Sequence, residues 1–153
     1  MKDIAKKMTL RERYDALCAA NDTATRRHIV NDYISTELRE IYDNDSLGYV
    51  KWTGSTTDLV ELCHIAWTSG SFSDIREGGV PFSAMHATIC KHLHCEPAKN
   101  PYGVVTRVDK RKHTTSITDR YANLILNLHI INPIALDLWF LERSKSTLQK
   151  SKK

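Results

Sequence analysis

The sequence has no apolar run approaching the roughly 18 residues that a membrane-crossing helix needs. Its first residues, with Lys2, Asp3, Lys6 and Lys7, lack the apolar centre of a secretory signal, so the expected location is the cytoplasm, with no membrane partner. Cysteine is scarce: Cys18, Cys63, Cys90 and Cys95 are the only four, and their spacing fits no zinc-finger pattern. A reducing compartment keeps them as thiols. A chain of 153 residues can bury a one-domain core without disulfide staples. There is no phosphate-binding loop, nucleophile elbow or paired-carboxylate signature. Cys63 and His64 are neighbours, and a helix points neighbours apart rather than together. No enzyme activity and no cofactor is expected.

What the sequence does have is charge gathered in one place. The chain carries a net +4, and all of it falls between residues 99 and 120. There Lys99, Arg107, Lys110, Arg111, Lys112 and Arg120 stand against Asp109 and Asp119 alone. A concentrated basic stretch points to a polyanion more than an even solubility charge would.

The pattern is helical nearly throughout. Thr9 and Glu12 form a capping box ahead of Leu10, Tyr14, Leu17 and Cys18. Thr23 or Thr25 caps a second helix with the stripe Val30, Tyr33, Ile34, Leu38 and Ile41. Asn44, Asp45, Ser46 and Gly48 mark a turn. Residues 49–52 read as a short strand or as the lead into the next helix. Ser55 or Thr56 then caps Leu59, Leu62, Cys63, Ala66 and Trp67, ending at Gly70. A link rich in breakers leads to Pro81 and the stripe Phe82, Met85, Ile89 and Leu93, running to about Cys95. Asn100 and Pro101 open a basic helix to about Lys112, with Val104, Val105 and Val108 inward. Ser116 and Asp119 cap the stripe Ile117, Tyr121, Leu124, Ile125 and Leu128. Asn132-Pro133 is read as the start of a last helix carrying Ile134, Leu138 and Leu141, before a basic tail from Arg143 that frays.

The expected fold class is all-α, with about seven helices. A helix-turn-helix domain, with its winged-helix variant as an alternative form, follows a two-helix N-terminal arm. The divisions are 1–47 for the arm, 48–132 for the helix-turn-helix domain and 133–153 for the last helix and tail. Three short helices at about 55–69, 82–95 and 100–112 follow helix-turn-helix order, in which two helices brace a third in the major groove. Tyr102, Thr106 and Lys110 share one i+4 row, and Arg107 and Arg111 share the next. Arginine can read guanine edges, and lysines such as Lys99, Lys110 and Lys112 hold phosphates. The expected partner is double-stranded DNA. With about four to six phosphates contacted, log K falls with log salt at a slope of about −4 to −5.

Two other constellations compete. His86, Cys90 and His94 are spaced i, i+4 and i+8, with His64, His92 and Cys95 nearby in sequence. The outer two lie about 12 Å apart along a helix, so one ion cannot hold all three, and no metal is expected. Trp67 lies on an apolar stripe and Trp52 pins a helix start, so neither is read as a base-stacking residue. Trp139 and Phe140 adjoin on the last expected helix, which leaves one facing out and suggests a homodimer contact there or through the first two helices. The alternative function is thus a helical protein-interaction module that binds no DNA.

The stretch Val50-Lys-Trp-Thr-Gly-Ser-Thr-Thr-Asp-Leu-Val-Glu-Leu62, with Ala66 and Ser69-Gly70, resembles the RteC family of Bacteroidetes conjugative transposons. The likeness rests on Trp52 to Ser55, Thr57, Leu59 to Leu62, and Ser69-Gly70. Tyr102 to Lys112 resembles the family's tyrosine-containing basic helix, and Thr115 to Leu128 its following helix. The resemblance covers about residues 49–129. It implies a helix-turn-helix regulator that binds DNA near excision genes of a mobile element and acts positively on transcription. The Ser71–Pro81 link departs from the family's asparagine-rich turn. The part before residue 49 is shorter than the family's N-terminal domain, and the chain runs on past the family's usual end to Lys153.

Overall fold

The computed structural model describes residues 9–44, 50–110 and 116–140, with the backbone alone at 107–110 and at 140. Seven α-helices occur among them: α1 (Leu10–Ala19), α2 (Thr23–Asp43), α3 (Thr56–Trp67), α4 (Ser73–Glu77), α5 (Phe82–His92), α6 (Pro101–Lys110) and α7 (Ile117–Leu128). Two three-residue strands, β1 (Val50–Trp52) and β2 (Leu138–Phe140), pair antiparallel with Lys51 opposite Trp139. The chain is therefore all-α in class, with one small sheet among the described residues.

The helix starts follow cap chemistry. Thr9 and Glu12 make both halves of a capping box, at 3.0 and 2.8 Å. Ser55 accepts from the Asp58 amide and Ser116 from the Asp119 amide. At α2 the cap is Asp22, one residue before the expected threonines, and it accepts from the Thr25 amide at 3.1 Å. A carboxylate cap also suits the positive end of the helix.

The longest helix, α2, is central. Val30, Tyr33, Ile34, Leu38 and Ile41 are all buried on it, and it packs on α1, α3, α5 and α7. Its side chains share one apolar cluster with Leu59, Leu62, Phe82, Met85, Ile89, Ile117 and Ile134. The first two helices thus contribute to the same apolar cluster as the helices after residue 48. Arg13 of α1 is 5% exposed, donates to Asp32 at 2.7 Å and lies over the Tyr33 ring.

Three expectations give way. The breaker-rich link holds a 3-10 turn at Gly70–Phe72 and then α4. Arg39 of α2 fastens both, donating to the Ser71 carbonyl and to the Asp74 carboxylate. α5 ends at His92 rather than near Cys95, because His94 adopts a left-handed φ of 53°. The helix expected from Pro133 is instead a 3-10 turn, Pro133–Asp137, followed by β2. The Tyr33 hydroxyl decides this: it donates to the Asn132 side chain and accepts from the Ile134 amide at 3.0 Å, holding the turn on α2. The chain then leaves in extended form and pairs with β1. Trp139 therefore lies on an edge strand, 47% exposed.

Candidate nucleic-acid interface

The candidate surface is built on α6, which rests on α3 and α5. Those two helices also touch each other, so the three make a mutually packed triangle. Pro101 and Val104 are buried and Val105 is half-buried, which fixes the inner face. Asn100 caps the start: its side-chain oxygen accepts from the Gly103 amide at 3.1 Å. A Cβ on Gly103 would come within 2.6 Å of that same side chain, so the closed cap depends on glycine.

The outer face carries Tyr102 and Thr106, both exposed. The Tyr102 ring leans on buried Phe82, with centroids 5.1 Å apart, which fixes where its hydroxyl edge points. The Thr106 hydroxyl donates to the Tyr102 carbonyl at 3.0 Å. Lys99 is exposed just before the helix. Arg107 and Lys110 lie on α6, with the backbone alone described, and Arg111 and Lys112 lie outside the described residues. By helical periodicity Lys110 continues the Tyr102–Thr106 row and Arg107 begins the adjacent one.

The structure divides the basic stretch. Arg120, counted with it from the sequence, binds Asp58 at the start of α3 at 2.8 Å. Asp119 accepts two hydrogen bonds from Arg27, each 2.9 Å, and these hold its carboxyl below the usual carboxylate range. The charges at the end of the stretch are thus spent on joining α7 to α3 and α2. Of the basic stretch, the sequence leaves Lys99, Arg107, Lys110, Arg111 and Lys112 against Asp109.

The residues carrying the family likeness do structural work. The Trp52 indole donates to the Ser55 carbonyl at 3.0 Å, and Ser55 caps α3. A Cβ on Gly54 would sit 2.7 Å from the Trp52 ring and 2.9 Å from Asp137, so only glycine lets the ring lie on the backbone there. Ser69 accepts from the Ser71 amide, donates to the Ala66 carbonyl and pairs with the Ser35 hydroxyl. Both ends of the motif are helix punctuation.

The histidine and cysteine candidates diverge. His86 is fully buried, and its Nε2 accepts from the Ala98 amide at 3.1 Å. That leaves the ring proton on Nδ1, which faces the Cys63 sulfur at 3.5 Å. Burial depresses the His86 pKa, so the ring stays neutral and ties the α5–α6 link to α5. His94 and His92 bond the Val50 and Ile41 carbonyls, both at 2.8 Å. Among the described residues no three metal-ligating side chains converge.

Sequence reasoning missed a cavity of about 610 Å³ between α2 and α3, lined by His28, Asn31, Asp32, His64 and Thr68 among others. It is formed by residues over thirty positions apart, and no local pattern marks it. Compared with known proteins, the chain matches no family model, no curated protein and no solved structure.

Proposed function

We propose that the protein is a DNA-binding regulator that presents α6 to the major groove of duplex DNA, with α3 and α5 as its brace. The observation that carries this is the outer face of α6. Its inner side is consumed by Val104 and Pro101, while Tyr102 and Thr106 are exposed, and the sequence puts Arg107, Lys110, Arg111 and Lys112 next along the chain. Phosphates hold such a helix in register, and arginine with threonine can read base edges. Residues 93–100 form a longer connection than the three- or four-residue turn of a tight helix-turn-helix, so the motif is a loosened variant. β1 and β2 come from opposite ends of this unit and are not a hairpin, so the winged form finds no support among the described residues. The likeness of Trp52 to Leu62 to the RteC family points to genes of mobile-element excision or transfer. Because those residues are scaffold, the likeness speaks to the fold more than to the site read.

The test is a mobility shift on random-sequence and selected duplex DNA, across a salt series. The wild type is expected to give a slope of about −4 to −5 in log K against log salt. Arg107→Ala with Arg111→Ala is expected to lose about a hundredfold in affinity for the selected duplex and less for random-sequence DNA. Equal binding by wild type and variant overturns the assignment of α6.

A second reading has one observation in its favour. Leu128, Leu136 and Trp139 are large apolar side chains left 47 to 59% exposed. A protein partner or a second copy covering them would make the chain an interaction module. Light scattering that shows a monomer at all concentrations, together with DNA binding by that monomer, decides against it.

A further inference from the structure

We propose that Cys90 and Cys95 form a peroxide-oxidisable dithiol, in which Cys95 is the attacking sulfur and Cys90 resolves it to an intramolecular disulfide. The argument begins at the end of α5. His94 sits in the left-handed region, its amide donates to the Lys91 carbonyl at 3.3 Å, and the Cys95 amide donates to the Cys90 carbonyl at 3.0 Å. This pair of bonds is the Schellman termination, whose geometry brings the side chains of those same two outer residues into contact. In most helices that contact is between two apolar groups. Here it joins two thiols, each of which shifts the titration of the other, and the Cys90 sulfur also lies 3.6 Å from His86 Nε2. A backbone bond between the same two residues holds them side by side, as a disulfide between them requires.

The two sulfurs differ in exposure and in ionisation, which sets the order in which they react. Cys95 is half-buried, so a small oxidant can reach it, whereas Cys90 is fully buried. The interaction with Cys90 lowers the Cys95 pKa, and Lys51 adds to this, against the opposing effects of burial and Glu96. The same interaction, then burial, pushes the Cys90 thiol up. The thiolate is the nucleophile, so Cys95 reacts first. Its sulfur attacks one oxygen of hydrogen peroxide, the O–O bond breaks, the departing hydroxide takes up the proton that the Cys95 thiol gave up and becomes water, and Cys95 becomes a sulfenic acid. The Cys90 sulfur then attacks the Cys95 sulfur. The S–S bond forms, the S–O bond breaks, and the departing hydroxide takes the Cys90 proton as a second water. The two cysteines lose two electrons, and one peroxide is reduced to two waters.

Two further cysteines serve as controls. Cys18 is exposed on α1, and Cys63 is fully buried on α3 beside the Nδ1–H of His86. The full chain is reduced, freed of reductant, exposed to hydrogen peroxide, and alkylated with N-ethylmaleimide under denaturing conditions before peptide mapping. The expected result is that Cys90 and Cys95 lose alkylation together, that the peptide joining them is lighter by two hydrogens, and that dithiothreitol restores both. In Cys90→Ala, Cys95 is expected to stop as a sulfenic acid that dimedone traps. In Cys95→Ala, Cys90 is expected to stay reduced. Cys90 and Cys95 remaining alkylatable while Cys18 is already oxidised overturns the proposal, as does a Cys63–Cys90 or intermolecular bridge in their place. The wild-type map decides the matter even if a variant fails to fold.

Discussion

The start of α3 and the start of α6 solve the same problem with very different amounts of structure. At α3, Ser55 caps the helix, Trp52 lies across Gly54, and residues far along the chain close in. The Trp52 amide donates to the Leu93 carbonyl, the Thr53 amide to the Asp137 carbonyl, and Arg120 of α7 grips Asp58. Glu61 accepts from the Ile117 amide at 3.3 Å. At α6 the ties are few: the Asn100 cap, buried Pro101 and Val104, and the Tyr102 ring on Phe82. The difference separates a joint from a surface. Changes at the first should cost stability, and changes on the outside of the second should cost binding alone.

The strongest way to break this comparison is Trp52→Ala. It removes a side chain that is 4% exposed, its hydrogen bond to Ser55 and the cover over Gly54. The expected loss is about 3–5 kcal/mol in chemical denaturation. A loss as small as that of a surface substitution would mean that the β1–α3 joint is not what holds this end together. Gly54→Ala probes the same joint more gently. Its new methyl group meets the Trp52 ring and the Asp137 side chain, and the expected cost is about 1–3 kcal/mol. The Arg107 and Arg111 double substitution, by contrast, should leave the denaturation midpoint within about 0.5 kcal/mol of wild type. If it destabilises the chain by more, α6 is part of the joint after all, and its loss of DNA binding would have to be read as unfolding.

The sequence made legible whatever is decided by neighbours within one turn. The caps at Thr9, Ser55 and Ser116, the buried stripe of α2 and the stripe of α3 through Ala66 are all where local pattern puts them. Much of what escaped it is decided by residues 62 to 101 positions away. Leu138, Trp139 and Phe140 have a pattern that fits a helix. They form a strand because Tyr33 holds Asn132 and Ile134 and because β1 offers an edge. The basic stretch is similar: Arg120 counts toward it along the chain, but in space belongs to Asp58. Of the candidate surface, Lys99, Tyr102 and Thr106 are exposed as the helical rows imply.

The finest test of the same comparison uses pH. Asp119 and Asp137 both lie close to the Arg120 region, and their environments push them in opposite directions. Hydrogen bonds from Arg27 lower the Asp119 pKa below 3.8. Its contribution is therefore present above that ordinary value and is lost as pH falls through the lower folded value. Burial, and then the Asp58 charge, raise the Asp137 pKa above 3.8. Its folded form prefers the proton, so a penalty sets in as pH rises from the ordinary value through the folded one, and it persists at neutrality. Asp119→Asn should thus lower stability at pH 7 and flatten the acid limb of the stability curve. Asp137→Asn should raise stability at pH 7 and leave it unchanged at low pH, where the native carboxyl is already neutral. Both effects should be smaller than that of Gly54→Ala, because the side chains are partly solvated. Thermal melts at pH 3 and pH 7 check the signs. Two variants moving in the same direction at pH 7 would show that the Arg27 hydrogen bonds to Asp119 and the burial of Asp137 do not set these signs.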